Sequence, residues 1–95
     1  MITITLVETR PNLNVDFHRV SGGHIDYIQK YNDIRHREVY GWTLSNDLLS
    51  RTFVVSYTSQ EDQDIFLNDP IVMEMLAAQN TYNTNNNITT SKSVS

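Results

Sequence analysis

Apolar and polar residues alternate from the start of the chain. Ile2, Ile4 and Leu6 are separated by Thr3 and Thr5, the period of two that a half-buried strand requires. Arg10-Pro11-Asn12 ends that run, because proline lacks a ladder donor and restricts the residue before it. Leu13, Val15 and Phe17 then alternate with Asn14, Asp16 and His18, which predicts a short extended segment. Ser21-Gly22-Gly23 breaks the pattern, with Ser21 placed to cap a following helix. Over 24–37, Ile25, Ile28, Tyr31 and Ile34 recur at three-residue spacing, a narrow apolar stripe that predicts an amphipathic helix.

A hairpin follows. Tyr40, Trp42 and Leu44 share one face, Ser45-Asn46-Asp47 forms the turn, and Leu49, Phe53, Val55 and Tyr57 line the next strand with Arg51 among them. Thr58 and Glu61 have the spacing of a capping box, and Asp62 and Asp64 suit the positive end of the helix dipole. Ile65, Phe66 and Leu67 give that helix its apolar face. Asp69-Pro70 restarts it, and Ile71, Val72, Met75, Leu76 and Ala78 carry the stripe to about Tyr82. The reading is a kinked or two-piece helix over 60–82.

The asparagines at 80, 83, 85, 86 and 87 mark a helix end and a loop. Ile88-Thr89-Thr90 offers a brief strand, and composition predicts that Ser91–Ser95 frays. The expected organisation is one α+β domain over 1–87 with a polar tail or short edge strand over 88–95. The order strand, helix, strand, strand, helix, strand is the ferredoxin-like βαββαβ arrangement, an antiparallel sheet with its helices on one face.

Length and composition agree with this. The chain's 95 residues suit a single small soluble domain with a modest core. The absence of cysteine excludes disulfides, thiolate zinc sites and a cysteine nucleophile. No apolar run has the roughly 18 residues of a membrane helix, and the first residues read as a strand rather than a signal peptide. These features predict no membrane partner and a cytoplasmic or virion-associated protein. The net charge of −4 comes entirely from the second half, since six acids and six bases cancel over 1–51. Lys30, Arg35 and Arg37 are diluted by Asp26, Asp33 and Glu38, so no basic stripe for nucleic acid forms.

Candidate chemistry is sparse. His18, His24 and His36 lack the i, i+4 spacing of a zinc helix, and no metal or cofactor is expected. Asp62 and Asp64 point to different helix faces and are accounted for by the dipole. Gly22-Gly23 and Gly41 form no phosphate-binding pattern, and no nucleophile elbow is present.

Phe53-Val54-Val55-Ser56-Tyr57, Thr58-Ser59-Gln60-Glu61-Asp62 and Phe66-Leu67-Asn68-Asp69-Pro70 together resemble the second half of dimeric α+β barrel proteins of the antibiotic-biosynthesis-monooxygenase-like group. The resemblance covers roughly residues 38–78. Thr9-Arg10-Pro11 with Val15-Asp16-Phe17, and Ala78 with Tyr82-Asn83 and Asn87-Ile88-Thr89, resemble small uncharacterised proteins of marine phages. The first likeness implies a homodimer or higher homo-oligomer in which a second copy covers an apolar open sheet face. Cofactor-independent relatives of that group use Asn, Trp and His around an apolar cavity. No segment here matches that triad residue by residue, so no catalytic residue carries over.

The candidates for a ligand cavity or an interface are Trp42, Tyr40, His18, His24, His36, Phe53 and Tyr57. The missing catalytic constellation favours a non-enzymatic homo-oligomeric interaction or structural protein, such as a phage accessory or virion component assembling through its C-terminal tail. The alternatives are a cofactor-independent monooxygenase-like enzyme and a dimer that binds a small apolar ligand. An enclosed apolar cavity beside Trp42 and a histidine, on the order of a few hundred Å3, marks these alternatives, whereas a structural protein has a filled core and buries its tail against another chain.

Overall fold

Alternation and capping set the element boundaries in the computed structural model, which describes residues 1–95. The chain runs through β1 (Ile2–Thr9), α1 (Gly22–Asp33), β2 (Arg37–Leu44), β3 (Ser50–Tyr57), α2 (Gln60–Leu67), α3 (Pro70–Asn85) and β4 (Thr89–Val94). The strands form one antiparallel sheet in the order β2-β3-β1-β4. This is the ferredoxin-like arrangement expected from the sequence, with the long second helix split at Asp69-Pro70.

Register decides what faces the helices. Ile4 lies opposite Val55, Leu6 opposite Phe53 and Glu8 opposite Arg51. Ile4, Val55 and Tyr57 from this face pack with Tyr31, Phe66, Val72 and Met75 into the core. The opposite face takes the intervening residues: Thr3, Thr5 and Thr9 on β1, Ser50, Thr52 and Ser56 on β3, and Ser91 and Ser93 on β4. On the two central strands only Val7 and Val54 interrupt these hydroxyls. The expectation of an apolar open face is therefore corrected: the face is threonine- and serine-rich, and water can solvate it without a second copy.

Local departures from the sequence reading have local causes. α1 begins at Gly22 rather than residue 24, because Ser21 caps it by accepting from His24 N at 3.2 Å. Both glycines therefore occupy first-turn positions, where the amide needs no intrahelical partner. The helix stops at Asp33, not residue 37, as Arg35 adopts a φ of 60° and turns the chain into β2. Residues 13–14 form a turn and 15–17 join no strand: the Asn12 side chain accepts from Asn14 N at 2.9 Å, and that turn chemistry overrides the alternation. Tyr40 is the extra residue of a bulge between Val39 and Gly41, whose φ is 90°. It therefore leaves the face of Trp42 and Leu44 and donates its hydroxyl to Glu38 at 3.3 Å. Ser59, not Thr58, caps α2 through Asp62 N, while Thr58 donates to the Arg35 carbonyl at 2.8 Å. Residues 89–94 pair with β1, and Ser95 exchanges two backbone hydrogen bonds with Thr3, so this stretch is sheet rather than frayed.

Asp69 ties the helical layer together. It caps α3 by accepting from Ile71 N at 2.9 Å, and its other oxygen accepts from the hydroxyls of Tyr27, at 2.7 Å, and Tyr31. Lys30 adds an ammonium at 3.8 Å. The Tyr31 hydrogen bond, seconded by Tyr27, the Ile71 amide and Lys30, outweighs desolvation and holds the Asp69 carboxyl down at about 2. Burial, and then the same carboxylate, push the Tyr31 hydroxyl up to about 12.

A depressed carboxyl stabilises the fold above its unfolded value and loses that contribution as pH falls towards its folded value; a raised phenol does the reverse on the alkaline side. Stability should therefore hold between about pH 4 and pH 10, the unfolded values of the two groups. It should decline from Asp69 below that range and from Tyr31 above it. Urea unfolding of wild type and Asp69→Asn across pH 2–7 checks this. The variant should be less stable at pH 7 and show a shallower acid decline; parallel curves would remove Asp69 as the acid-sensitive tie.

Candidate functional site

Helix α1 buries only Tyr31, and its thin stripe leaves part of the sheet uncovered. Between the helical layer and the sheet lies a cleft of about 1010 Å3. Leu6, Phe53 and Val39 form its sheet side, with Val20, Ile28 and Leu76 across from them. Val39 and Trp42 on β2 are 39% and 41% exposed and Ile25 on α1 is 49% exposed, which places an opening along β2 and α1.

One end of the cleft is built on a buried ion pair. Glu8 is completely buried and accepts from Arg51 Nε at 2.6 Å, Gln79 Nε2 at 3.0 Å and Asn83 Nδ2 at 2.7 Å. Arg51 also donates to the His18 carbonyl at 2.9 Å, and its guanidinium lies 3.8 Å from the centre of a Trp42 ring and 4.7 Å from that of Phe17. Strand pairing brings the two charges together, since Glu8 and Arg51 face each other in register. Three donors engage the carboxylate, so this end of the cleft presents the edge of a neutralised pair rather than a free acid or base.

Arg37 differs. It is also nine-tenths buried, with its guanidinium 4.2 Å from the Phe66 ring centre and 5.6 Å from that of Tyr57. Burial lowers its pKa from the usual arginine value, and burial likewise raises that of Tyr57. No carboxylate lies at ion-pair distance from it, and its Nε has no hydrogen-bond partner.

Of the residues singled out in the sequence, the cleft brings together Trp42, Phe53, Tyr57 and His18. Trp42 packs on Phe53 with ring centres 4.8 Å apart, and its exposure sets it on the cleft wall instead of in the core. His18 lies against Tyr82 at 5.2 Å. Tyr40, His24 and His36 lie outside the cleft walls: His24 faces Glu74 at 3.7 Å and His36 faces Asp62 at 3.6 Å. Glu8, Arg37, Arg51, Gln79 and Asn83 were not singled out. A signal existed for Glu8 and Arg51, which both occupy the core-facing phase of alternating strands.

No family model matches the chain, and no curated protein matches its sequence. Solved structures do match in shape. A candidate antibiotic biosynthesis monooxygenase from Deinococcus radiodurans aligns with a TM-score of 0.50 and 12% identity, over 100% of this chain and 90% of that one. An uncharacterized NIPSNAP domain protein from Burkholderia xenovorans aligns with a TM-score of 0.52 and 11% identity, over 98% and 91%. This chain shares their ferredoxin-like fold. At such identities the likeness is one of backbone, and function has to be argued from the cleft.

Removing one partner of a buried pair leaves the other charge without compensation, at a cost of about 3–5 kcal/mol. Glu8→Ala should lose that much stability in urea unfolding, and adding Arg51→Met should restore part of it. A double variant as unstable as the sum of the single ones would mean that the two side chains act independently.

Proposed function

We propose that this protein binds a small, largely apolar molecule in the cleft between its helices and its sheet, with Trp42, Phe53, Tyr57 and His18 among the contacts. One observation carries the reading: 14 of the 27 residues lining the cleft are hydrophobic, Trp42 among them, and His18 lines it as well. Its volume of about 1010 Å3 lies at the upper end of ordinary small-molecule sites. The sequence alone favours a structural role, and the cleft shifts that preference. Binding without turnover also suits the polar groups present, because the Glu8 carboxylate is already committed to three donors. The fold likeness to a candidate monooxygenase makes oxygenation of such a ligand the enzymatic version of this proposal.

Self-assembly into a homodimer or larger homo-oligomer, as in a virion or phage accessory component, is a second reading. Its support is that β2 and β4 are both sheet edges, whose unpaired backbone groups can accept a strand from a second copy. Light scattering after size exclusion across a wide concentration range tests it. The expected mass is that of a dimer or more, and a monomer at every concentration would eliminate it.

For the cleft, the neutral dye Nile red should gain fluorescence on mixing with the protein. Leu76→Trp, which projects a larger side chain into the cleft, should weaken that binding at least about tenfold with the melting temperature little changed. Undiminished binding by a folded Leu76→Trp variant would place the dye elsewhere and overturn the reading.

A further inference from the structure

Three charged side chains are about nine-tenths buried or more: Glu8, Arg37 and Asp69. Glu8 has Arg51, and Asp69 has two tyrosine hydroxyls and Lys30. Arg37 has no counter-charge, and its Nε has no acceptor. Its guanidinium lies over the Phe66 and Tyr57 rings, 4.2 Å and 5.6 Å from their centres, which leaves its Nη groups for another partner.

The location of that edge is informative. Arg37, Asn32 and Tyr57 line the apolar cleft, and the same three also line a second, polar cavity of about 400 Å3. Arg35 adds another positive charge to the polar cavity, Ser56 and Thr58 add hydroxyls, and Glu38 is the carboxylate that lines it. The Asn32 side-chain oxygen is buried without a partner, so its amide is uncommitted on that side. A molecule lying in the cleft would thus meet apolar walls along its body and an unpaired guanidinium where the two cavities adjoin.

Resting on the cleft as the binding site, we infer that its ligand is an apolar monocarboxylate, whose anionic head pairs with Arg37 while its body fills the cleft. A carboxylate supplies two acceptors matched to the planar guanidinium fork, and its charge-assisted bonds are the kind that a desolvated arginine lacks. The opposite end, where Glu8 already neutralises Arg51, offers no comparable attraction to an anion.

Isothermal titration at pH 7.4 with octanoate, 1-octanol and octylamine tests the inference on the full chain. Octanoate is ionised there, octanol is its neutral counterpart and octylamine carries the opposite charge. Wild type should bind octanoate at least about tenfold more tightly than octanol, with octylamine weakest. Arg37→Met should erase the preference for octanoate and retain octanol binding, and Arg37→Lys should restore part of it. Should Arg37→Met fail to fold, the three ligands on wild type still decide. Equal affinity for octanoate and octanol would overturn the role of Arg37 and leave the cleft as a site for neutral apolar ligands. Failure of all three to bind would overturn both.

Discussion

The Glu8–Arg51 pair joins more of the chain than any other contact. A carboxylate with no exposed surface on a central strand is tolerable only when it is paired and hydrogen-bonded, and here the donors come from β3 and from two turns of α3. Arg51 in turn reaches the His18 carbonyl and lies against Phe17 and Trp42, so the pair also secures the long connection between β1 and α1. Arg10 completes that attachment by donating to the carbonyls of Val15 and Leu48. Sheet, last helix and connection are thus held to one another at a single point. A buried ion pair contributes little net stability against an apolar substitute, but it is strict about geometry. That strictness fixes where α3 sits over the sheet, and with it one end of the cleft.

The cleft follows from how little of the sheet the helices can cover. An apolar residue every third position gives α1 a narrow stripe, and only Tyr31 from it is buried. α3 buries Val72, Met75 and Asn83, and its other end is held by the Asp69 cap. Asp69 thus ties α1 to the start of α3, and Glu8 holds the far end of α3 to the sheet. Between these anchors Leu6, Val39 and Trp42 are not covered by a helix, and apolar surface remains open within a small domain. Such surface costs stability unless a ligand or another chain covers it.

The order of elements and the ferredoxin-like fold were legible in the sequence because they depend on periodicity, which a single chain displays in full. Alternation located β1, β2 and β3, and Asp69-Pro70 marked the break between α2 and α3. What was not legible depends on register. Tyr40 reads as a partner of Trp42 until an extra residue in β2 turns it to the other face. Ser91–Ser95 reads as a polar tail, yet its hydroxyls belong to a solvated sheet face, where backbone pairing with β1 matters more than side-chain apolarity. The cleft was legible only in part: Trp42, Phe53, Tyr57 and His18 stand out as residue types and Glu8 and Arg51 by their core-facing phase, whereas Arg37 resembles a surface charge until strand pairing turns it inward.

Arg51 and Arg37 show how one sheet face can both hold a fold together and leave it receptive. Arg51 lies next to its counter-charge, so its desolvation is answered within the chain. Arg37 sits across from Tyr57 at the start of β2, where the aromatic faces of Phe66 and Tyr57 shield it without supplying an acceptor. Folding has thus already removed much of the water around this guanidinium. An arriving anion therefore gives up its own hydration but strips less water from this arginine than from an exposed one, and it finds the group held against two aromatic rings. Had a carboxylate of the chain occupied that position, the fold would be firmer and the cleft would have no preference for charge.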